Sequence, residues 1–203
     1  MKKIKDHIKT YLNYPIDGIK YYDLNPVYKN PKIRTQLVNN CIELIKNEKY
    51  DYIALIEARG FLIGSIIADK LKKGIVLCRS KKNRLPGKIF TVKHKLEYGE
   101  ATMQVQKGSG KVLIFDDVIA TGGTGNGAYT VLKKAGYDPV SALYLVELTK
   151  LKPKSKIPYK SAIHYWFLFF LKNQSKKFSS LKTKSQALWY TPLYSVYKIF
   201  FLT

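Results

Sequence analysis

Residues 112–124 read Val112-Leu-Ile-Phe-Asp116-Asp117-Val-Ile-Ala120-Thr121-Gly122-Gly123-Thr124, an apolar run that ends in two carboxylates and passes into a glycine-rich turn. No other stretch limits the fold so strongly. An apolar run of this kind suits a strand buried on both faces, the usual condition of a parallel sheet. In open α/β sheets ligands bind at the carboxyl ends of the strands, where this turn would sit. Glycines let backbone N–H groups approach an anion closely, and the N-terminus of the following helix adds partial positive charge. With the hydroxyls of Thr121 and Thr124, the turn makes a cradle for one phosphate. The two acids would repel that phosphate. They suit a neighbouring ribose, whose two hydroxyls can each donate to a carboxylate. A phosphate and a ribose diol side by side describe a ribose 5-phosphate. Other glycine motifs do not fit: neither G-x-G-x-x-G nor G-x-x-x-x-G-K-[ST] follows a strand, and Gly108-Ser-Gly-Lys111 precedes one.

The rest of the chain reads as alternating elements. Ile4, Ile8, Tyr11 and Leu12 recur at helical spacing, which predicts a first helix over residues 1–12. A turn-rich stretch, 13–31, carries Pro15, Gly18, Pro26 and Pro31. Ile33, Leu37, Cys41, Leu44 and Ile45 mark one face of a second helix. Strands are expected at 52–56, 75–78, 112–115 and 140–146, and helices at 61–71 and 128–135. Two strand-like segments, 89–95 and 101–107, join through Glu97, Tyr98 and Gly99. Strands alternating with helices imply an α/β fold, a parallel sheet covered on both faces.

The 112–124 string closely resembles the phosphoribosyl-pyrophosphate motif of the type I phosphoribosyltransferases. The resemblance implies that Asp116 and Asp117 contact the ribose hydroxyls and that Ala120, Thr121, Gly122, Gly123 and Thr124 hold the 5′-phosphate. Four more segments resemble the adenine-using branch of that family. They are Gly18-Ile-Lys-Tyr-Tyr-Asp-Leu-Asn-Pro26, Glu57-Ala-Arg-Gly-Phe-Leu-Ile-Gly64, Arg79 through Leu85-Pro-Gly87 with Leu96-Glu-Tyr-Gly99, and Glu147-Leu-Thr149. The likeness runs in order from about residue 5 to 165. It implies transfer of a phosphoribosyl group from phosphoribosyl pyrophosphate to adenine, giving AMP and pyrophosphate, with Mg²⁺ held mainly through the substrate. Ala58, Arg59, Arg79 and Arg84 would meet the pyrophosphate. Glu97 would assist proton transfer at the purine, with Arg59 and Arg79 as its catalytic companions. Lys20, Tyr22 and Tyr98 would line the base, and residues 79–98 would form a mobile catalytic loop. This chain has Tyr22 where the family pattern has an arginine, and one extra residue between Arg79 and Leu85. The resemblance also implies a homodimer. Two alternatives stay open: transfer to another purine base, and a purine- or phosphoribosyl-pyrophosphate-sensing regulator. The regulator should carry a DNA-binding domain, for which the short N-terminal segment leaves no room.

Arginine placement agrees with the pyrophosphate reading. The chain has four arginines, and Arg59, Arg79 and Arg84 all fall in these segments, where a bidentate grip on phosphate is wanted. The formal net charge of +22 comes chiefly from lysine. Lysine is a hydrated point charge, and no recognition motif accompanies it, so a nucleic-acid partner is not expected. Cys41 and Cys78 make no disulfide framework or zinc spacing, which fits a reduced cytoplasmic setting. No signal-peptide core is present, and no stretch reaches the roughly 18 apolar residues of a membrane span. Residues 1–165 therefore read as the catalytic domain. Residues 166–203 read as an extension that opens with Trp-Phe-Leu-Phe-Phe-Leu and contains lysines but no acids. Basic and aromatic residues together suit an anionic interface. The plainer reading is an appendage with no catalytic part.

Overall fold

The computed structural model describes residues 2–14, 20–80, 83–96 and 99–165. Fourteen elements follow in order: α1 (Lys2–Lys5), β1 (Lys9–Leu12), β2 (Lys20–Asp23), α2 (Asn25–Lys29), α3 (Pro31–Ile45), β3 (Tyr52–Ile56), α4 (Arg59–Lys70), β4 (Gly74–Cys78), β5 (Ile89–Leu96), β6 (Gly99–Gln106), β7 (Gly110–Ile119), α5 (Gly123–Ala135), β8 (Tyr137–Leu148) and β9 (Tyr159–Tyr165). A short 3-10 turn, Thr149–Leu151, lies between the last two strands. Five strands make one parallel sheet in the order β4-β3-β7-β8-β9. The expected strands and their parallel arrangement are present. The strand alternation divides the core in two. Ile53, Leu55, Leu113, Phe115, Leu143 and Leu145 face α3 and α4. Ala54, Ile56, Val112, Ile114, Ala142 and Tyr144 face α5 and the β5–β6 pair.

Local chemistry explains the helices. Asn30 caps α3, its side chain accepting from the N–H groups of Lys32 and Ile33, and Pro31 occupies the first turn where no N–H is needed. The buried face of α3 is Ile33, Leu37, Val38, Cys41 and Ile45, close to the expected set. Helix α4 lies close on the sheet because Gly64 has no side chain: a Cβ there would stand 2.3 Å from Leu55 Cδ2 and 2.7 Å from Phe115 Cδ1. Alanine would gain about 1 kcal/mol of helix propensity at this position. Both neighbours are fully buried, so the clash is expected to win at about 1–3 kcal/mol. Gly64→Ala should therefore lower Tm by several degrees in a thermal melt. An unchanged or higher Tm would show that the core yields.

Two expectations need correction. Residues 1–12 are not one helix: α1 stops at Lys5, and residues 9–12 pair antiparallel with 20–23. Ile4 and Ile8 are buried as their spacing implies, while Tyr11 and Leu12 are exposed on the strand. The strand forms because a distant partner supplies its hydrogen bonds, which periodicity cannot register. The stretch 13–31 holds β2 and α2 and is not loop throughout. The two strand-like segments expected at 89–95 and 101–107 are the antiparallel pair β5–β6, and Val92, Met103 and Val105 enter the second core. Residues 166–203 lie outside the described residues, and no helix among the described residues is long and apolar enough to cross a membrane.

Candidate active site at the carboxyl edge of the sheet

The chain leaves β3 toward β4 on one side, then returns to place β7 on the other side of β3. The strand order thus reverses between β3 and β7. Crevices at such reversals, outside the carboxyl ends of the strands, are where open α/β sheets bind ligands. Asp116 and Asp117 stand near the carboxyl end of β7, and Arg59 opens α4 directly after β3.

Both aspartates are buried, at 6% and 3% exposure, a position carboxylates tolerate only when neutralised or hydrogen-bonded. The Asp117 N–H donates to Asp116 Oδ1 at 2.9 Å, and Arg59 Nε lies 2.8 Å from Asp117 Oδ2. Burial raises the Asp116 carboxyl well above the ordinary range, and the charge on Asp117 adds to it. Burial also raises Asp117, and Arg59 opposes that rise. For Arg59, burial favours loss of the proton, but Asp117 and then Asp116 more than offset it. The group remains a firm cation. Glu57, Ala58 and Arg59 follow β3 without a break, and the Glu57–Ala58 peptide is cis.

The glycine-rich turn is built as its glycines suggest. Gly122 caps α5 in the left-handed conformation, φ 96°, and is buried. Its missing side chain has a tertiary reason as well: a Cβ would stand 2.1 Å from the Lys154 carbonyl oxygen. Residues 154–156 brace the turn. Lys154 N–H donates to the Thr121 carbonyl, Asn126 Nδ2 donates to the Lys154 carbonyl, and Lys156 N–H donates to Asn126 Oδ1, each at 2.9 Å. Ala120, Thr121, Gly123 and Thr124 are partly exposed around it. The N-terminal N–H groups of α5 have no partners within the helix and are available to an anion.

The other expected site residues fall in three groups. Arg79, first after β4, is held by Glu57 through Nη2 to Oε1 at 3.1 Å, and its guanidinium lies 5.8 Å from the Phe61 ring centre. Ala58 and Arg84 are exposed. Tyr22 is not beside the pair. It is buried in the first core and packs on Tyr165, ring centres 4.3 Å apart. Alternation along β2 turns its neighbour Tyr21 the other way, into the field of Arg59 and Asp117. Lys20 begins β2, opposite Leu12. Glu97 and Tyr98 lie outside the described residues. Three residues that no role was assigned from sequence enter here: Glu57, Tyr21, and Tyr28. The Tyr28 hydroxyl is buried without a hydrogen-bond partner among the described residues, and burial and the charge of Asp117 both disfavour its ionisation. Recognising β2 as a strand would have separated Tyr21 from Tyr22. Nothing in the sequence marks Tyr28.

A model of the phosphoribosyl transferase domain matches residues 25–174. The chain is 43% identical over 160 residues to the adenine phosphoribosyltransferase of Prochlorococcus marinus (strain NATL2A), covering 75% of this chain and 92% of that one. It is similar to the crystal structure of adenine phosphoribosyltransferase from Thermoanaerobacter pseudethanolicus, with 31% identity and TM-score 0.75 over 81% of this chain and 99% of that chain. It is also similar to the Saccharomyces cerevisiae enzyme of the same name, complexed with an imino-altritol bisphosphate and adenine. That match has 30% identity and TM-score 0.73, over 79% of this chain and 97% of the other.

Proposed function

The chain belongs to the phosphoribosyltransferases, within them to the adenine phosphoribosyltransferase family, and we propose from its site how it transfers phosphoribosyl to adenine. The reaction joins adenine to the 5-phosphoribosyl group of phosphoribosyl pyrophosphate and releases AMP and pyrophosphate, a purine-salvage step. The observation that carries the reading is the buried Asp116–Asp117 pair, tied to Arg59 at 2.8 Å and flanked by the Gly122 cradle at the strand reversal.

In this reading the 5′-phosphate sits on residues 120–124, and the ribose hydroxyls donate to Asp116 and Asp117. The bond from ribose C1 to pyrophosphate breaks with little help from the incoming base, so the sugar gains cationic character. The charge of the carboxylates at Asp116 and Asp117 would stabilise it. Arg59, with Arg79 and Arg84, takes up the charge of the departing pyrophosphate, an electrostatic role. Adenine N9 bonds to C1 and loses its proton, and Glu97 is assigned to assist there. Tyr21, from its position in the field of Arg59 and Asp117, is the better candidate than Tyr22 to face the purine. The donors fit a hard cation, since Asp116 and Asp117 offer carboxylate oxygens at this edge. Mg²⁺ would arrive on the substrate's diphosphate and supply neutralisation of the leaving charge. Among the described residues no group of three or more His, Cys, Asp or Glu converges on a metal position.

A homodimer is part of the same proposal. Leu62 on α4 and Ile75 and Leu77 on the edge strand β4 are exposed apolar side chains, which supports burial against a second copy. The free, buried thiols Cys41 and Cys78 support a reducing, cytoplasmic setting.

The test is pyrophosphate release with phosphoribosyl pyrophosphate and Mg²⁺ against a panel of bases. Adenine should give a kcat/KM at least about a hundredfold above hypoxanthine, guanine and xanthine, as expected of a site that hydrogen-bonds its base. A higher value with hypoxanthine would overturn the base assignment and leave the fold untouched.

A further inference from the structure

Both arginines beside the sheet edge are met by carboxylates, and the two arrangements differ. Asp117 has a task of its own in the ribose contact. Glu57 has none, yet its carboxylate is the more fully engaged. Oε1 lies 3.1 Å from Arg79 Nη2, while Oε2 accepts from the Ser80 N–H at 2.9 Å and from Ser80 Oγ at 3.3 Å.

The backbone makes this geometry possible. Strands β3 and β4 run parallel with Ile56 opposite Cys78, and the Glu57 N–H continues the ladder to the Cys78 carbonyl at 2.9 Å. Glu57 and Arg79 are thus the first residues beyond two adjacent strand ends. Arg79 is fixed on its other edge as well. Its N–H and C=O both pair with Gln104, at 2.9 and 2.8 Å, and Thr102 Oγ1 donates to the Ser80 carbonyl at 3.3 Å. Phe61 from α4 closes one face of the guanidinium. The Arg79 and Glu57 side chains are 21% and 15% exposed, so solvent only partly screens the pair.

A carboxylate two residues before Arg59 weakens the positive potential that a pyrophosphate needs. Its return must be order. A guanidinium carries five N–H donors, and one Glu57 contact leaves several for phosphate oxygens. Arg79 Nε is itself buried with no hydrogen-bond partner among the described residues. An arginine already fixed in place loses less freedom on meeting its anion, which favours binding and correct aim.

We propose that Glu57 is a positioning residue for Arg79: its carboxylate clamps the guanidinium and the Ser80 backbone so that Arg79 meets pyrophosphate from a fixed place. The inference rests on the reading of Arg79 as a pyrophosphate contact. The experiment uses the full chain and four variants: Glu57→Gln, Glu57→Asp, Arg79→Ala and the double variant Glu57→Gln/Arg79→Ala. Rates are measured against phosphoribosyl pyrophosphate at saturating adenine and against adenine at saturating phosphoribosyl pyrophosphate, with pyrophosphate as product inhibitor. Tm is recorded for each.

Glu57→Gln keeps an acceptor for Ser80 and loses the ion pair. It should raise KM for phosphoribosyl pyrophosphate and weaken pyrophosphate inhibition about tenfold, the size typical of losing a residue that orients a ligand-binding group. KM for adenine should change less than about twofold, and Glu57→Asp should recover part of the loss. In the double variant Glu57→Gln should add little to Arg79→Ala, since both act through one group. Normal phosphoribosyl pyrophosphate kinetics in Glu57→Gln beside a damaged Arg79→Ala would overturn the positioning role alone. So would full additivity, an equal rise in adenine KM, or a drop in Tm with no kinetic split. An Arg79→Ala enzyme with normal phosphoribosyl pyrophosphate KM and pyrophosphate inhibition would overturn the Arg79 assignment itself, and this inference with it.

Discussion

The double variant Asp116→Asn/Asp117→Asn is expected to lose at least about a thousandfold in kcat/KM while remaining folded, because removing even one preorganised electrostatic contact commonly costs 10²–10³. Asparagine keeps the shape and one acceptor but loses the charge. Its neutral amide oxygen accepts from a ribose hydroxyl more weakly than a carboxylate does, and it does not stabilise a cationic sugar. The effect on stability has the opposite sign. Burial raises both carboxyl groups above their unfolded value, with Asp117 adding to the rise at Asp116. The folded state therefore holds more protons than the unfolded chain between the unfolded value, about 3.9, and the raised ones. Where the native state binds more protons, stability falls as pH rises. The wild-type protein should lose stability through that window as pH climbs from about 4, and the asparagine variant should lose less. Arg59, which loses the charge of Asp117, is 30% exposed and can rehydrate. Turnover by coupled assay and Tm at two pH values check both halves. Near-normal turnover in the double variant would show that the sugar lies elsewhere.

Gly122→Ala should come second, with activity reduced at least about a hundredfold and Tm lowered. Two costs add. At φ 96° an L residue is strained by roughly 1–2 kcal/mol. The new Cβ would also stand 2.1 Å from the Lys154 carbonyl oxygen, which is backbone and cannot rotate aside. Relief requires the 154–156 segment to move, and that breaks the bonds to Thr121 and Asn126 which hold the glycine turn. A displacement of about 1 Å at a positioning element can cost 10²-fold in rate. The loss should concentrate in KM for phosphoribosyl pyrophosphate. Steady-state kinetics with each substrate varied in turn checks this. A variant with normal KM would mean that the turn is not the phosphate site.

Much of this molecule was legible in order of residues alone. The Val112–Phe115 run and the glycine turn announced a buried parallel strand and a tight turn into a helix, because those properties depend on neighbours in the chain. The spacing on α3 gave its buried face for the same reason. Segments decided by distant partners were not legible. Residues 9–12 follow helical spacing yet form a strand, since residues 20–23 offer a ladder. The helix α5 begins at Gly123, well before the expected residue 128, because its glycine-rich first turn is stabilised by the 154–156 segment and not by propensity.

At the site the division is the same. The sequence by itself determined which chemical groups are present: a carboxylate pair, a glycine cradle, and arginines after two strands. Only the tertiary structure decided how they pair. It set Arg59 on Asp117, Arg79 on Glu57, Tyr22 into the core and Tyr21 toward the site. Residue type fixes charge and hydrogen-bonding capacity, whereas partner choice depends on which strand ends the sheet brings side by side. Here β3 lies between β4 and β7, and that one adjacency gathers Glu57, Arg59, Arg79, Asp116 and Asp117 at a single edge.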